Sequence, residues 1–258
     1  TVEELHLLAQ LTRGLGSENV DVRLRHADFA NAAAPGRARW LGLPIAALSK
    51  LDRALIIGSF LRKDHPLFAL RVRHAVRHGA QVSSLHAVHD DWAMPLAHKM
   101  TAAPSGWADA LAQVAAAVAA AKGLAAPAPA DAGADAKAVA ASLMSGQRKA
   151  LLLGHVAAQH PQASQLLALA QWIGEQTGAA VGYLGESGNS VGAQLVGALP
   201  RAGGFDAGQM LSRPMKALLL LNVEPAFDAA NPAAAKEALK GAGLVVSMTP
   251  FKDANTDI

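Results

Sequence analysis

A chain of 258 residues with a 52% hydrophobic set and 17% charged residues can bury a sizeable core and is too apolar for intrinsic disorder. Its formal charge of +3 implies neither a nucleic-acid nor a membrane partner, and 4% aromatics are thin for stacking single-stranded bases. The absence of cysteine excludes disulfides, thiolate zinc sites and all-cysteine iron–sulfur ligation within the chain.

The amino terminus, TVEELHLLAQL, carries two glutamates and no basic leader, so it does not read as a signal peptide. With no initial methionine and an abrupt end at NTDI, the chain reads as a segment of something longer. Residues 2–13 read as a helix with Glu3 and Glu4 in the first turn, stopped by Gly14 and Gly16. NVDVR (19–23) reads as a short strand, and 24–50 has no clear period. Residues 54–57 are a short apolar run suited to a strand buried on both faces. A helix over 65–78 follows, with Phe68, Val72, Ala75 and Val76 on one stripe and Gly79 as its stop. AQVSSL (80–85) is the next strand. Ser105 is placed to cap a helix whose seam is Trp107, Leu111, Val114 and Val118.

The apolar run Val114–Ala121 is the longest in the chain at eight residues, where a membrane span needs about 20. Composition then shifts at GLAAPAPADAGADA (123–136), which reads as a linker. Helix 136–145, strand 149–153 and helix 161–177 follow, the last ending at Gly178. The glycine-rich run GYLGESGNSVG (182–192) reads as a loop, with Glu186, Ser187, Asn189 and Ser190 available for a polar ligand or for capping. Strand 217–221, helix 232–240 and strand 244–248 complete the chain. This alternation predicts an α/β fold of two doubly wound, mainly parallel lobes, each incomplete, over 1–122 and 137–258.

Three junctions share a plan: LIIGSFLRKDHP (55–66), LLLGHVAAQHP (151–161) and LLLLNVEPAFDAANP (218–232). Each runs from an apolar strand through Gly58, Gly154 or Asn222, types that tolerate left-handed backbone. Each ends at Pro66, Pro161 or Pro232, suited to a first helical position. Asn231 is a good helix cap, and His65 and His160 are poorer ones. Such loops gather at the carboxyl edge of a parallel sheet, where α/β ligands bind. No GxGxxG and no GxxxxGK[ST] occurs, so plain strand–helix connection remains the simpler reading of the residues alone.

Around the first junction lie Arg62, Lys63, Arg71, Arg73 and Arg77, with His74 and His78 between them. They suit a phosphate or an acidic partner subunit, or simply a solvated helix face. The pair His74/His78 has metal-ligand spacing but arginine neighbours. His86, His89, Asp90 and Asp91 form a better ligand set by type, in a surface loop. There is no GxSxG elbow and no evident acid–base pair.

LIIGSFLRKDHPLFALRVRHAVRHGAQV resembles the molybdopterin oxidoreductase segment of strand, Gly-Ser-Asn-type loop, His-Pro helix start and arginine-containing helix. LLLLNVEPAFDAANP is similar to the later strand–Asn-Pro segment of that fold, and GLVVSMTPFKDANTDI to the strand and turn shortly before its ADxxLP phrase. Within that superfamily, residues 3–29 and 154–200 resemble the large iron–sulfur subunit of bacterial NADH-quinone oxidoreductase (respiratory complex I), in its carboxyl-terminal, molybdopterin-oxidoreductase-like region.

The resemblance implies a scaffold or interaction part of that subunit, supporting electron transfer from NADH to quinone with no cofactor or redox centre of its own. The iron–sulfur clusters would lie elsewhere in the parent subunit. The partners would be other subunits of the peripheral arm, on the cytoplasmic side of the bacterial inner membrane. Gly58, Ser59 and Asn222 would be remnants of pterin-type loops. Phe60 stands where the family has asparagine, and His86, Ala87 and Val88 stand where an Asp-Pro-Arg-like phrase is expected. Two alternatives remain on the residues: the pterin-binding part of an active molybdopterin oxidoreductase, and a nucleotide-binding α/β domain of another enzyme.

Overall fold

The computed structural model describes residues 1–30 and 38–252. The last part of the phrase ending at NTDI, residues 253–258, lies outside them. In chain order the elements are α1 (Val2–Gly14), β1 (Arg53–Ile57), α2 (Leu61–Asp64), α3 (Pro66–Arg77), β2 (Gln81–His86), β3 (His98–Thr101), α4 (Trp107–Lys122), α5 (Ala134–Met144) and β4 (Lys149–Leu153). They continue with α6 (His155–Ala158), α7 (Ala163–Thr177), β5 (Ala180–Tyr183), α8 (Ser190–Leu195), α9 (Ala207–Met210), β6 (Leu218–Leu221), α10 (Pro225–Asp228), α11 (Pro232–Gly241) and β7 (Val245–Met248). Short 3₁₀ turns occupy Ile45–Lys50 and Pro104–Gly106. The fold class is α/β, and every strand pair among the described residues is parallel.

One compact unit is Arg39–Glu186. Its five-stranded sheet has the order β3-β2-β1-β4-β5. At the centre, Leu55 pairs with Ser83 on one side and Leu151 on the other. Alternate residues of β1 and β4 point to opposite faces, as the pleat requires. Leu55, Ile57, Leu151 and Leu153 pack against α4, α5 and α7, while Ala54, Ile56, Ala150 and Leu152 pack toward α3 and the turn at 45–50. Two covered faces explain why these strands read as unbroken apolar runs. The expected seam of α4 is fully buried: Trp107, Leu111, Val114 and Val118 all sit in the core. Its cap position is Gly106, with no side-chain bond; Ser105 lies in the preceding 3₁₀ turn.

The compact units do not follow the expected lobes. β1, from the expected first lobe, pairs along its whole length with β4, from the expected second. Residues 123–136 therefore connect α4 to the start of α5 inside one unit. Their alanine, proline and aspartate content marks an exposed crossing, and a parallel pair needs a long crossover between its strands.

The other unit is Thr1–Ala38 with Ser187–Ile258. Thr1 closes a capping box on α1, its hydroxyl accepting the Glu4 amide at 3.2 Å. Ala9 of α1 packs with Val20, Ala193 and Ala198. β6 and β7 form a two-stranded parallel sheet. The strand expected at 19–23 is absent. That backbone is held by side chains instead. Asp21 accepts the amides of Arg23 and Ala207 and binds the Arg23 guanidinium through both oxygens, and Asn19 accepts the Phe205 amide. The glycine-rich run at 182–192 is not all loop either: β5 ends in it and α8 starts at Ser190.

Candidate functional site at the carboxyl edge of the sheet

In the order β3-β2-β1-β4-β5 the chain reverses direction of travel between β1 and β4. The crevice beyond the carboxyl ends of these two strands is the topological switch point, where ligands of open α/β sheets bind. Gly58-Ser59 leaves β1 at this place and Gly154 leaves β4. The ladder carries both glycines to the rim: the Gly58 amide donates to the Leu85 carbonyl at 2.9 Å and the Gly154 amide to the Ile57 carbonyl at 2.7 Å.

Gly58 has φ +61, left-handed backbone that glycine adopts without penalty. A Cβ there would lie 2.6 Å from Cζ3 of Trp107 and 2.9 Å from the amide nitrogen of Ala157. Gly154 is different. Its φ is −77, so the expected left-handed turn is absent, and it is glycine for lack of room. A Cβ there would lie 2.2 Å from the Gly58 carbonyl oxygen and 2.5 Å from Cβ of Ser59. The two strand ends touch backbone to backbone.

Aromatic and imidazole rings fill the space around them. Trp107 is fully buried and its Nε1–H donates to the Ala102 carbonyl at 3.0 Å. It stacks on His160 at 5.7 Å and lies 6.0 Å from His86. Phe60 meets His86 edge-on at 4.3 Å. His160 is held from both sides: Nδ1 accepts the Gln162 amide at 3.0 Å, so Nε2–H is the donor to the Pro104 carbonyl at 2.9 Å. His160 thus fastens a turn, while α7 begins later, at Ala163, which leaves Pro161 outside the helix.

Polar groups line the outer rim. Asp64 accepts the Phe60 amide at 3.1 Å and lies 3.2 Å from His155 Nδ1. His65 precedes α3 without giving it a side-chain cap, and Pro66 opens that helix as expected. Burial pushes the His65 pKa down; Asp64 opposes that shift and His155 adds to it. Two buried atoms here, Ser59 Oγ and His65 Nε2, have no hydrogen-bond partner among the described residues.

The other expected site residues go elsewhere. Asn222, in the second unit, is exposed at the end of β6 with φ +49, and its amide donates to the Met248 carbonyl at 3.0 Å. His86 turns inward among the rings, His89 contacts Thr101, Asp90 accepts the Trp92 indole at 2.6 Å, and Asp91 pairs with Arg62 at 2.6 Å. Among the described residues, no group of three or more metal-ligating side chains comes together. Trp107, Asp64 and His155 carried no site signal in the sequence. Trp107 was legible only as part of an apolar seam.

A family model for molybdopterin oxidoreductase matches residues 1–257. The chain belongs to the molybdopterin oxidoreductase family. Among curated proteins, none matches it. Members of such a family are expected to hold a pterin cofactor at strand ends of this kind, so the fit of these residues matters. The face of Gly58 that lacks a side chain does not admit a ligand, because the Trp107 ring and the Ala157 amide cover it. Beside it, Ser59 is a buried residue, 1% exposed, whose hydroxyl has no hydrogen-bond partner among the described residues.

Proposed function

We propose that this chain is a scaffold and interaction part of a larger molybdopterin-oxidoreductase-type subunit and carries no redox centre itself. The resembling phrases favour the large iron–sulfur subunit of NADH-quinone oxidoreductase, in a peripheral arm on the cytoplasmic side of the bacterial inner membrane. In that reading its partners are other subunits of the arm, and the clusters that move electrons lie outside this chain. Among the described residues no helix is long and apolar enough to cross a membrane, in keeping with a peripheral part.

The observation that carries the reading is the crowded switch point. A fully buried indole packs on the bare face of Gly58, and Gly154 is pressed against Gly58. The test is metal and pterin analysis of the purified chain, expected to find neither in stoichiometric amount. Stoichiometric molybdenum with pterin would overturn it. In cells, a destabilising Gly154→Ala in the parent subunit is expected to lower the amount of assembled arm. The iron–sulfur content per assembled arm should stay unchanged. Unchanged assembly with lost cluster content would count against a scaffold role.

One observation favours a second reading, a cofactor-binding part of an active oxidoreductase. The buried, unpaired Ser59 hydroxyl is a polar group of the sort a bound ligand satisfies. Under that reading Ser59→Ala lowers pterin retention in the parent enzyme.

A further inference from the structure

The outward face of α3 combines bare leucines with unpaired cations. Ala69, Val72 and Ala75 turn inward, so the opposite line of the helix carries Leu67, Leu70, His74 and Arg77. Leu67 is 74% exposed and Leu70 62%. Arg71 and Arg73 flank this line, and Lys63 precedes it. Among the described residues Lys63, Arg71, Arg73 and Arg77 enter no ion pair, whereas Arg62 is already held by Asp91 at 2.6 Å. Residues 62–78 hold five Lys or Arg residues and one acidic residue, Asp64, so this stretch is strongly basic in a chain whose net charge is only +3.

From this placement we propose that the outer face of α3 docks onto an acidic protein surface that offers an apolar recess to Leu67 and Leu70. The partner's charge follows from the patch: a second copy presenting the same face would be repelled, and an acidic surface is steered toward it. The leucines decide the class. A nucleic-acid backbone would answer the arginines and leave both leucines against water. A membrane-surface helix needs a long apolar face, but the long apolar face of α3 is spent on its own sheet. Two leucine anchors ringed by arginine match the buried centre and charged margin of a protein interface. This inference deepens the interaction reading above and rests on it only in taking the chain to be a docking part.

The test uses the full chain and a fluorescein-labelled, roughly 18-residue helical peptide, about five turns long, with leucines on one stripe and glutamates beside it. Anisotropy is expected to show binding that weakens about tenfold between low and high salt. Arg73→Glu with Arg77→Glu is expected to weaken it at least about tenfold, and Leu67→Ser with Leu70→Ser comparably. The control Lys236→Glu with Lys240→Glu, on α11, removes the same charge and should change little. All these positions are exposed, so folding is checked by an unchanged melting curve. Lack of peptide binding, equal weakening by the control, or tighter binding to polyuridylate or to phosphatidylglycerol vesicles would overturn the proposal. A failure here leaves the scaffold reading standing, since that reading falls only to the cofactor and assembly measurements.

Discussion

The turn at Gly58 and the turn at Asn222 share one backbone plan and have opposite surroundings. Each follows an apolar strand with positive φ, +61 and +49. Each leads to a four-residue helix whose last residue is an aspartate, Asp64 or Asp228. That carboxylate accepts the amide of the residue before the helix, Phe60 at 3.1 Å and Glu224 at 2.9 Å. Each aspartate also holds a basic side chain, His155 at 3.2 Å and Arg25 at 2.9 Å. Pro66 and Pro232 then open the next helix. The difference is packing. Gly58 is buried against Trp107 and Ala157, and Asn222 is exposed. The left-handed turn alone accepts asparagine or glycine; crowding narrows the choice to glycine.

The largest expected effect separates the two turns. Gly58→Ala should cost more than about 4 kcal/mol in urea denaturation, because the new methyl meets an indole and a backbone amide that cannot retreat. Asn222→Ala should cost about 1 kcal/mol, the left-handed penalty alone. Equal losses would dissolve the distinction. Gly154→Ala sharpens it, since its backbone is not left-handed: a loss as large as that of Gly58→Ala would show that crowding dominates.

Next in size, Trp107→Ala should destabilise by about 3–5 kcal/mol through the cavity it leaves. A small loss would mean that the indole is not what crowds Gly58. Removing the shared carboxylate, by Asp64→Ala or Asp228→Ala, should cost about 1 kcal/mol at each turn, as a lost helix cap does. A much larger loss at Asp64 would show that the buried turn depends on it differently.

The smallest effect is a pH dependence at the first turn. Burial lowers the His65 pKa, so the unfolded chain takes up a proton near its ordinary value of about 6.5 while the folded chain does not. In that window the unfolded state binds more protons, so stability falls as pH drops below about 6.5 and is level above it. The denaturation midpoints of the wild type and His65→Phe, compared at about pH 7.5 and about pH 5.5, should diverge from this cause. An identical pH profile would rule His65 out as a source.

Local chemistry was readable along the chain. Residues 149–153 form a strand as expected, and the stop at Gly178 and the cap at Asn231 are where their types suggest: Gly178 has φ +74, and Asn231 accepts the Ala234 amide at 3.0 Å. These depend on neighbours a few residues away. β3 and the split of each junction into two helices were not legible, because four-residue elements carry too little period to register. The lobe boundaries were misplaced for a related reason: an alanine- and proline-rich crossing looks like a linker whether or not the strands on its two sides pair.

By itself the sequence determined the α/β class, the parallel pairing and the positions where the chain must turn, since these follow from apolar runs and from residue types that tolerate one backbone region. Tertiary structure alone decided that β1 pairs with β4, and thereby that Gly58, Gly154 and Trp107 meet. Neither the need for glycine at 154 nor the packing of Trp107 on Gly58 is a property of nearby residues. Both arise where strands separated by a long crossover come within van der Waals distance.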